Sequence, residues 1–321
     1  MKVYENYPLS TILYYKIGGT ARFFLEAGSR DDILKGLDFI LRNNIERLVV
    51  VGLGSNLLFP DGLFDGAVLR IASGGEPQIR DVGDGLIEAF AGEILDEVIK
   101  YGFDRGYVGL EWAGGLPGTV GAAVRGNVGA FGGEVKDVLD SAEVLDIGDG
   151  DLNPRFVTCE KMSFSYRSSL VKRSRRMLVL SATFAMRKAE EAELAGAKET
   201  YRSNIEYREK NHPMEYPTCG SVFKNIEKKD EVDRILAVWP DAREMVETKW
   251  HGKVSMGYAI NRLGLRGYQV GGAQISTKHA NFIVNLGDAR FSDVFDLIER
   301  VKESFMNTFG FEPEAEVEIV N

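Results

Sequence analysis

Apolar residues recur at helical spacing between Asp31 and Asn43, where Ile33, Leu34, Leu37, Ile40 and Leu41 share one face. Strand-like runs, Ala21 to Glu26 and Arg47 to Val51, flank this stretch and predict a β-α-β unit whose second strand ends in glycines. From Gly66 to Ala91 the chain reads as short alternating strands, and Glu93 to Tyr101 returns to helical spacing. Ser141 to Asp146 and Met177 to Arg187 read as strands. Ala189 to Glu209, rich in Ala, Glu, Lys and Arg, predicts a solvent-faced helix that links two domains and is broken at His212-Pro213 and Tyr216-Pro217. After a mixed segment come an expected helix (Val254 to Leu263), a Gly-rich turn, a strand (Ala280 to Asn285), a helix (Ser292 to Thr308) and a last strand (Glu316 to Val320).

The chain has 321 residues, enough for about two domains. Its 39 Lys and Arg against 48 Asp and Glu leave a net charge of −9, so no positive field draws it to nucleic acid or an anionic membrane. Cys159 and Cys219, with His212, His251 and His279, are too few and too scattered for a disulfide framework or a metal site. The expectation is a soluble protein of the reducing cytoplasm: the start, MKVYENYPLS, lacks an apolar signal core, and no apolar run approaches the ~20 residues of a membrane span.

The unusual count is glycine, 36 in all and clustered. Gly52-Leu53-Gly54-Ser55-Asn56 follows a strand, as a dinucleotide fingerprint should, but the third glycine of that pattern falls on Leu57 and Phe59-Pro60-Asp61-Gly62 closes a turn where a helix should continue. Taken alone, the segment reads better as a tight turn after a core strand. Gly114 to Gly133 is too long for a hairpin turn and too poor in polar residues for a linker; either a flat, charged cofactor or a close backbone crossing explains it. Arg167, after Tyr166, is either a carboxylate clamp or a solvated charge. Ser221, in Cys219-Gly220-Ser221-Val222-Phe223-Lys224-Asn225, sits in no nucleophile elbow and has no histidine at a telling spacing. A serine hydroxyl can still donate a proton to a strongly basic carbanion, a task that needs no base beside it. Lys278-His279 before a strand suits phosphate or a wet strand end, and Glu314 to Ile319 reads as an edge strand in which no spacing rule selects Glu316.

In order along the chain, Ile17-Gly18-Gly19-Thr20-Ala21, Val51 to Leu58, Leu116-Pro117-Gly118-Thr119-Val120-Gly121-Ala122, Tyr166-Arg167, Gly220 to Asn225, Gly271 to Phe282 and Glu316-Val317 together resemble the UDP-N-acetylenolpyruvoylglucosamine reductases, the MurB family. The direct run from Arg167 to the strand at Met177, with Ser276 to Asn281, is similar to the second type, which lacks a tyrosine-bearing substrate loop. The resemblance implies an α+β fold: a two-part FAD-binding domain of the vanillyl-alcohol-oxidase (PCMH) type plus an α/β substrate-binding domain. The divisions expected are two FAD-binding lobes, 1–70 and 71–207, a substrate-binding domain, 208–311, and a C-terminal strand, 312–321, that returns to the active site.

It also implies FAD as cofactor, NADPH as hydride donor and UDP-N-acetylglucosamine enolpyruvate as the substrate, reduced by a monomer. By resemblance Arg167 stabilises the charge that forms beside the substrate carboxylate, Ser221 donates the proton and Glu316 faces the same carboxylate. Gly18, Gly19, Gly52, Gly54, Ser55, Asn56, Leu57, Leu116, Pro117, Gly118, Thr119, Gly121 and Asn127 match flavin-contact segments, and Tyr166, Lys210, Asn225, Lys278 and His279 are assigned to the substrate. The sequence departs from the family pattern at Lys16, usually arginine; at Arg125-Gly126-Asn127-Val128, commonly Met-Asn-Ala; at Ile226, usually proline; and at Glu318, usually basic. Asp230 to Val254 is longer than the family norm and is expected to be a surface elaboration. Two other readings keep the glycine segments: an FAD-dependent oxidase or dehydrogenase of another small molecule, and a nucleotide-binding module without catalysis.

Overall fold

The computed structural model describes residues 1–148 and 152–320. Its contacts divide the chain into two units, one of Met1–Tyr7, Ala21–Leu53 and Phe64–Arg208, the other of Pro8–Thr20, Gly54–Leu63 and the chain from Glu209 onward. No helix among the described residues is long and apolar enough to cross a membrane.

The first unit holds the expected strand, helix and strand as Thr20–Ala27, Arg30–Arg42 and Leu48–Val51. The helix begins on Ser29, whose hydroxyl accepts the Asp32 N–H at 3.2 Å, and its apolar stripe buries Ile33, Leu37 and Ile40. The two strands are not neighbours: Leu63–Ile71 lies between them and runs parallel to Leu48–Val51, with Val49 opposite Val68. A strand that the pattern did not announce, Lys2–Pro8, forms the edge of this sheet. Its residues are mostly exposed, so no alternating apolar face marks it; Tyr7 stacks on Phe24 with ring centroids 4.2 Å apart. The second sheet of this unit is antiparallel, ordered Arg155–Thr158, Leu139–Asp146, Met177–Ala185, Leu86–Phe90, Ile79–Gly83. Met177–Ala185 is its centre and the most apolar strand, because partners on both edges and the helices Val120–Gly126 and Leu170–Ser174 shut out water.

The second unit is built on a four-stranded sheet, ordered Thr218–Ser221, Phe282–Asn285, Ala273–Ile275, Gln269–Val270. The helix Phe291–Phe309 buries Val294, Leu297, Ile298, Val301, Phe305 and Phe309, and ends at Gly310 with φ +76°. The extra segment is more than surface. It forms the helices Lys229–Val238 and Arg243–Thr248 and places Val232, Ile235, Leu236, Trp239 and Val246 in the core of this unit. Its neck is a two-bond bridge, Ile226 N–H to Val254 O at 3.1 Å and Val254 N–H to Ile226 O at 2.8 Å. A proline at this position would have no N–H to give the first of these bonds.

Near the start of the chain, Gly19 N–H donates to Pro60 O at 2.8 Å and Thr20 N–H to Gly62 O at 3.1 Å. A Cβ on Gly19 would collide with the carbonyls of Asp61 and Gly62, whereas one on Gly62 would meet nothing within 4 Å. Gly19→Ala is therefore expected to lower the melting temperature by several degrees, and Gly62→Ala to leave it unchanged, in a thermal melt monitored by circular dichroism. Phe305, fully buried and in ring contact with Phe309 and Phe311 at 5.2 and 5.8 Å, is expected to lose about 3–5 kcal/mol on Phe305→Ala in denaturant unfolding.

Candidate active site

In the first unit the glycine segments meet at one place. Gly52 follows the strand Leu48–Val51, and a Cβ there would overlap Thr119 Oγ1 and lie 3.0 Å from Thr119 Cγ2. Thr119 is buried and bridges Ile94; Val120 N–H reaches Glu93 O at 2.8 Å, Gly121 N–H reaches Ala91 O at 2.9 Å, and Leu95 N–H reaches Gly118 O at 3.1 Å. A Cβ on Gly121 would come within 2.9 Å of the Ala91 Cβ. Residues 116–121 are thus stitched to 91–95, and only side chains as small as those present let the strand end at Gly52 come this close. Beside this segment lies Arg208, which no motif marked. Its Nε donates to Gly114 O at 3.0 Å, its guanidinium stacks on Phe131 at 5.2 Å, and its Nη2 is buried with no acceptor among the described residues. Burial lowers the Arg208 pKa from its ordinary value. A glycine cradle with an unsatisfied buried cation beside it fits a diphosphate, and so fits a dinucleotide cofactor such as FAD.

Arg167 is set rigidly. It occupies a tight turn in which Ser165 and Ser168 exchange backbone bonds at 3.1 and 3.0 Å, with φ +55° at Arg167, a conformation that costs about 1–2 kcal/mol for a residue with a Cβ. Nη2 donates to Gly129 O at 2.7 Å, and the guanidinium carbon lies 5.0 Å from the Tyr166 ring centre. Asn127 ties this turn to its surroundings. Fully buried and itself at φ +43°, it donates through Nδ2 to the Glu134 carboxylate and to Ser165 O, both at 3.1 Å, and accepts the Lys136 N–H at 3.0 Å. Burial works against ionisation of Glu134, but bonds from Lys136 and Asn127 and the charges of Lys136 and Arg167 hold its carboxyl below the usual range.

In the second unit Gly220, at φ +79°, makes a bulge: Thr218 pairs with Val284 and Ser221 with Phe282, so one extra residue lies between the two pairs on the serine strand. A bulge of this kind re-aims the side chain that follows it. The backbone after Ser221 is locked by Asn281, whose Oδ1 accepts the Phe223 N–H at 3.1 Å and whose Nδ2 donates to Phe223 O at 2.8 Å. Glu316 arrives alongside, its N–H on Val222 O at 2.7 Å, and Asn56 fixes it by donating from Nδ2 to Glu316 O at 3.1 Å while accepting the Glu318 N–H at 3.1 Å. The expected last strand shortens to Glu318–Ile319 and pairs in parallel with Leu57–Leu58. Burial, with the charge of Glu316 adding to it, pushes the Cys219 thiol up to about 12, which makes it an inert core residue. Gly54, at φ +66°, packs on Leu13, and Gly18 packs on Leu13 and Phe59.

A pocket in this unit is lined by Ser255, Gly257, Tyr258, Asn261, Arg266, Lys278, His279 and Ala280. Two expected substrate residues, Lys278 and His279, are in it, and Tyr258 and Arg266 were not anticipated. Lys278 Nζ donates to Glu209 O at 2.7 Å, and Ser276 Oγ accepts the N–H groups of Lys278 and His279 at 3.1 and 3.3 Å. Burial lowers the pKa of His279, whose Nδ1 accepts the Asn281 N–H at 3.3 Å. Asn225 is exposed, and its Oδ1 accepts the Met256 N–H at 3.0 Å at the start of the helix Met256–Arg262. Lys210 is exposed near the end of the helix Glu191–Asn211.

Residues 212–320 match the model of the UDP-N-acetylenolpyruvoylglucosamine reductase C-terminal domain, and residues 21–153 match that of an FAD binding domain. The UDP-N-acetylenolpyruvoylglucosamine reductase of Anoxybacillus flavithermus is 34% identical over 318 residues, 99% of this chain and 94% of that one. The enzyme of the same name from Caldicellulosiruptor saccharolyticus is 36% identical over 316 residues, 98% of this chain and 91% of its own. The crystal structure of UDP-N-acetylenolpyruvylglucosamine reductase (MurB) from Thermus caldophilus superposes with a TM-score of 0.73 at 27% identity, covering 100% of this chain and 98% of that one. The fold is accordingly α+β, an FAD-binding part of the vanillyl-alcohol-oxidase type joined to an α/β part. With a third of its residues shared along its whole length, and both domain patterns present in order, the chain belongs to the UDP-N-acetylenolpyruvoylglucosamine reductase (MurB) family.

Proposed function

We propose that this chain is an NADPH-dependent flavoenzyme that reduces UDP-N-acetylglucosamine enolpyruvate to UDP-N-acetylmuramate in peptidoglycan precursor synthesis. The observation that carries this reading is the full-length likeness to reductases of that name. Bound FAD would supply the redox chemistry, relaying reducing equivalents from NADPH to the terminal enol carbon of the substrate. In this reading Gly18, Gly19, Gly52, Gly54, Ser55, Asn56, Leu57, Leu116, Pro117, Gly118, Thr119, Gly121 and Asn127 hold the cofactor. The two flavin lobes are 1–70 and 71–207, the substrate domain is 208–311, and 312–321 is the returning strand. The enzyme works as a cytoplasmic monomer without nucleic-acid or membrane partners.

Hydride arrival at the terminal carbon leaves an electron pair on the carbon that bears the carboxylate. Ser221 neutralises it by donating its hydroxyl proton; an alcohol gives up a proton only to a stronger base, which this carbanion is and the starting enol ether is not. Arg167 holds the carboxylate with its guanidinium and stabilises the charge that spreads into it, a role favoured by its fixed turn and its anchor on Gly129 O. Glu316 faces the same carboxylate. Tyr166, Lys210, Asn225, Lys278 and His279 bind the remainder of the substrate. With its pKa lowered by burial, His279 is neutral near pH 7 and offers an N–H, not a charge.

The purified protein is expected to show flavin absorbance that bleaches anaerobically with NADPH and returns with UDP-N-acetylglucosamine enolpyruvate. Absorbance that stays bleached would assign the protein to another substrate, and absence of flavin after added FAD would remove the reading. Ser221→Ala is expected to bleach at the normal rate and to reoxidise with substrate about 10²–10⁴-fold more slowly in stopped flow; normal reoxidation excludes Ser221 as the donor. Arg167→Lys is expected to lower kcat/KM by about 10²–10³-fold while leaving NADPH bleaching intact.

A further inference from the structure

The segment 229–254 meets the pocket at one wall, through Arg262 and two tryptophans. Arg262, at the end of the helix Met256–Arg262, grips the Asp241 carboxylate with two bonds, Nη1 to Oδ2 at 2.6 Å and Nη2 to Oδ1 at 2.9 Å. Its guanidinium carbon lies 4.7 Å from the Trp239 ring centre, and Nη1 also donates to the Tyr258 hydroxyl. Trp239 meets the Tyr258 ring edge-on at 6.1 Å, and Trp250 meets it at a tilt at 4.9 Å. Tyr258 itself lines the pocket together with Arg266 and Lys278.

An exposed ion pair contributes little to stability, and Asp241 is 65% exposed. A bidentate pair stacked on indole does something else: it fixes the direction of a guanidinium, and so the position of whatever that guanidinium holds. The segment 229–254 supplies three of the five members of this cluster, Trp239, Asp241 and Trp250, and its neck at Ile226 and Val254 opens directly onto Ser255 and the pocket helix.

We propose that Asp241, Trp239 and Arg262 are positioning residues that hold Tyr258 as a preformed wall of this pocket, and that the segment 229–254 thereby raises affinity for the nucleoside diphosphate half of the substrate. The inference rests on the reading that the pocket, with its cations Arg266 and Lys278, takes that diphosphate. A wall held in place before binding spares the ligand the entropic cost of ordering it.

The test is calorimetric titration of the FAD-loaded enzyme with UDP, alongside steady-state kinetics. Asp241→Asn is expected to raise the Kd for UDP and the KM for the UDP-sugar together by about 3–10-fold, the scale of one lost coupling. Its kcat and melting temperature should not change, and Asp241→Glu should restore most of the affinity. Tyr258→Phe, which removes the hydroxyl that Arg262 holds, is expected to weaken UDP to a similar degree, and the double variant to add nothing further. Wild-type Kd in Asp241→Asn, or full additivity in the double variant, overturns the proposal while leaving the pocket assignment standing. UDP binding that survives Lys278→Ala and Arg266→Ala unchanged removes the pocket assignment, and the proposal with it.

Discussion

The chemistry of the second unit depends on a backbone pairing across nearly the whole chain. Residues 315–319 are held by Val222 O and Phe223 on one side and by Asn56 and Leu57–Leu58 on the other. These are ladder bonds, so they fix the register of Glu316 to the residue, and a slip of one would turn its side chain to the opposite face. Ser221 is placed with the same economy by the bulge at Gly220 and by the clamp of Asn281 on Phe223. Ser221 and Glu316, 95 positions apart in sequence, thus owe their placement to main-chain geometry, which tolerates side-chain change around it.

In the first unit the same logic rests on a buried amide. Asn127, at the end of its own helix, satisfies its side-chain carbonyl and amino group on two other segments, residues 134–136 and the turn of Arg167. A buried polar side chain that is fully bonded specifies one arrangement, because every alternative leaves a donor or acceptor without a partner. That is a physical reason for an arginine to be kept at positive φ. The strain at Arg167 is small beside the bonds that hold the turn, and in return the guanidinium is oriented by backbone and not by a flexible stem.

The departures from the family pattern become intelligible in part. The Ile226 N–H closes the neck of the segment 229–254 with a bond that a proline could not give, and this segment brings Trp239 and Val246 into the core. Lys16, at φ +58°, donates to Thr11 O at 3.3 Å, a local bond within its own loop. Nothing in the structure explains Glu318.

Periodicity in the sequence determined the elements that bury a clear stripe or face, such as Arg30–Arg42, Phe291–Phe309 and Met177–Ala185, since burial of apolar side chains leaves a direct trace in their spacing. The glycine segments marked where the backbone is closely approached, at Gly19 by the backbone of residues 61–62 and at Gly52 by the Thr119 side chain, and ordered motifs marked the family. Tertiary structure alone decided the rest. Lys2–Pro8 is a strand through its neighbour's hydrogen bonds and has little apolar face of its own. Glu316 is set apart from Glu314 and Glu318 by which amide meets Val222 O, and Arg208 by the lack of an acceptor at Nη2 among the described residues; neither fact has a sequence signature. Tyr258, Asp241 and Arg262 form a cluster because the turn between the helices Lys229–Val238 and Arg243–Thr248 folds back on the helix Met256–Arg262, and such a meeting is fixed by packing in three dimensions.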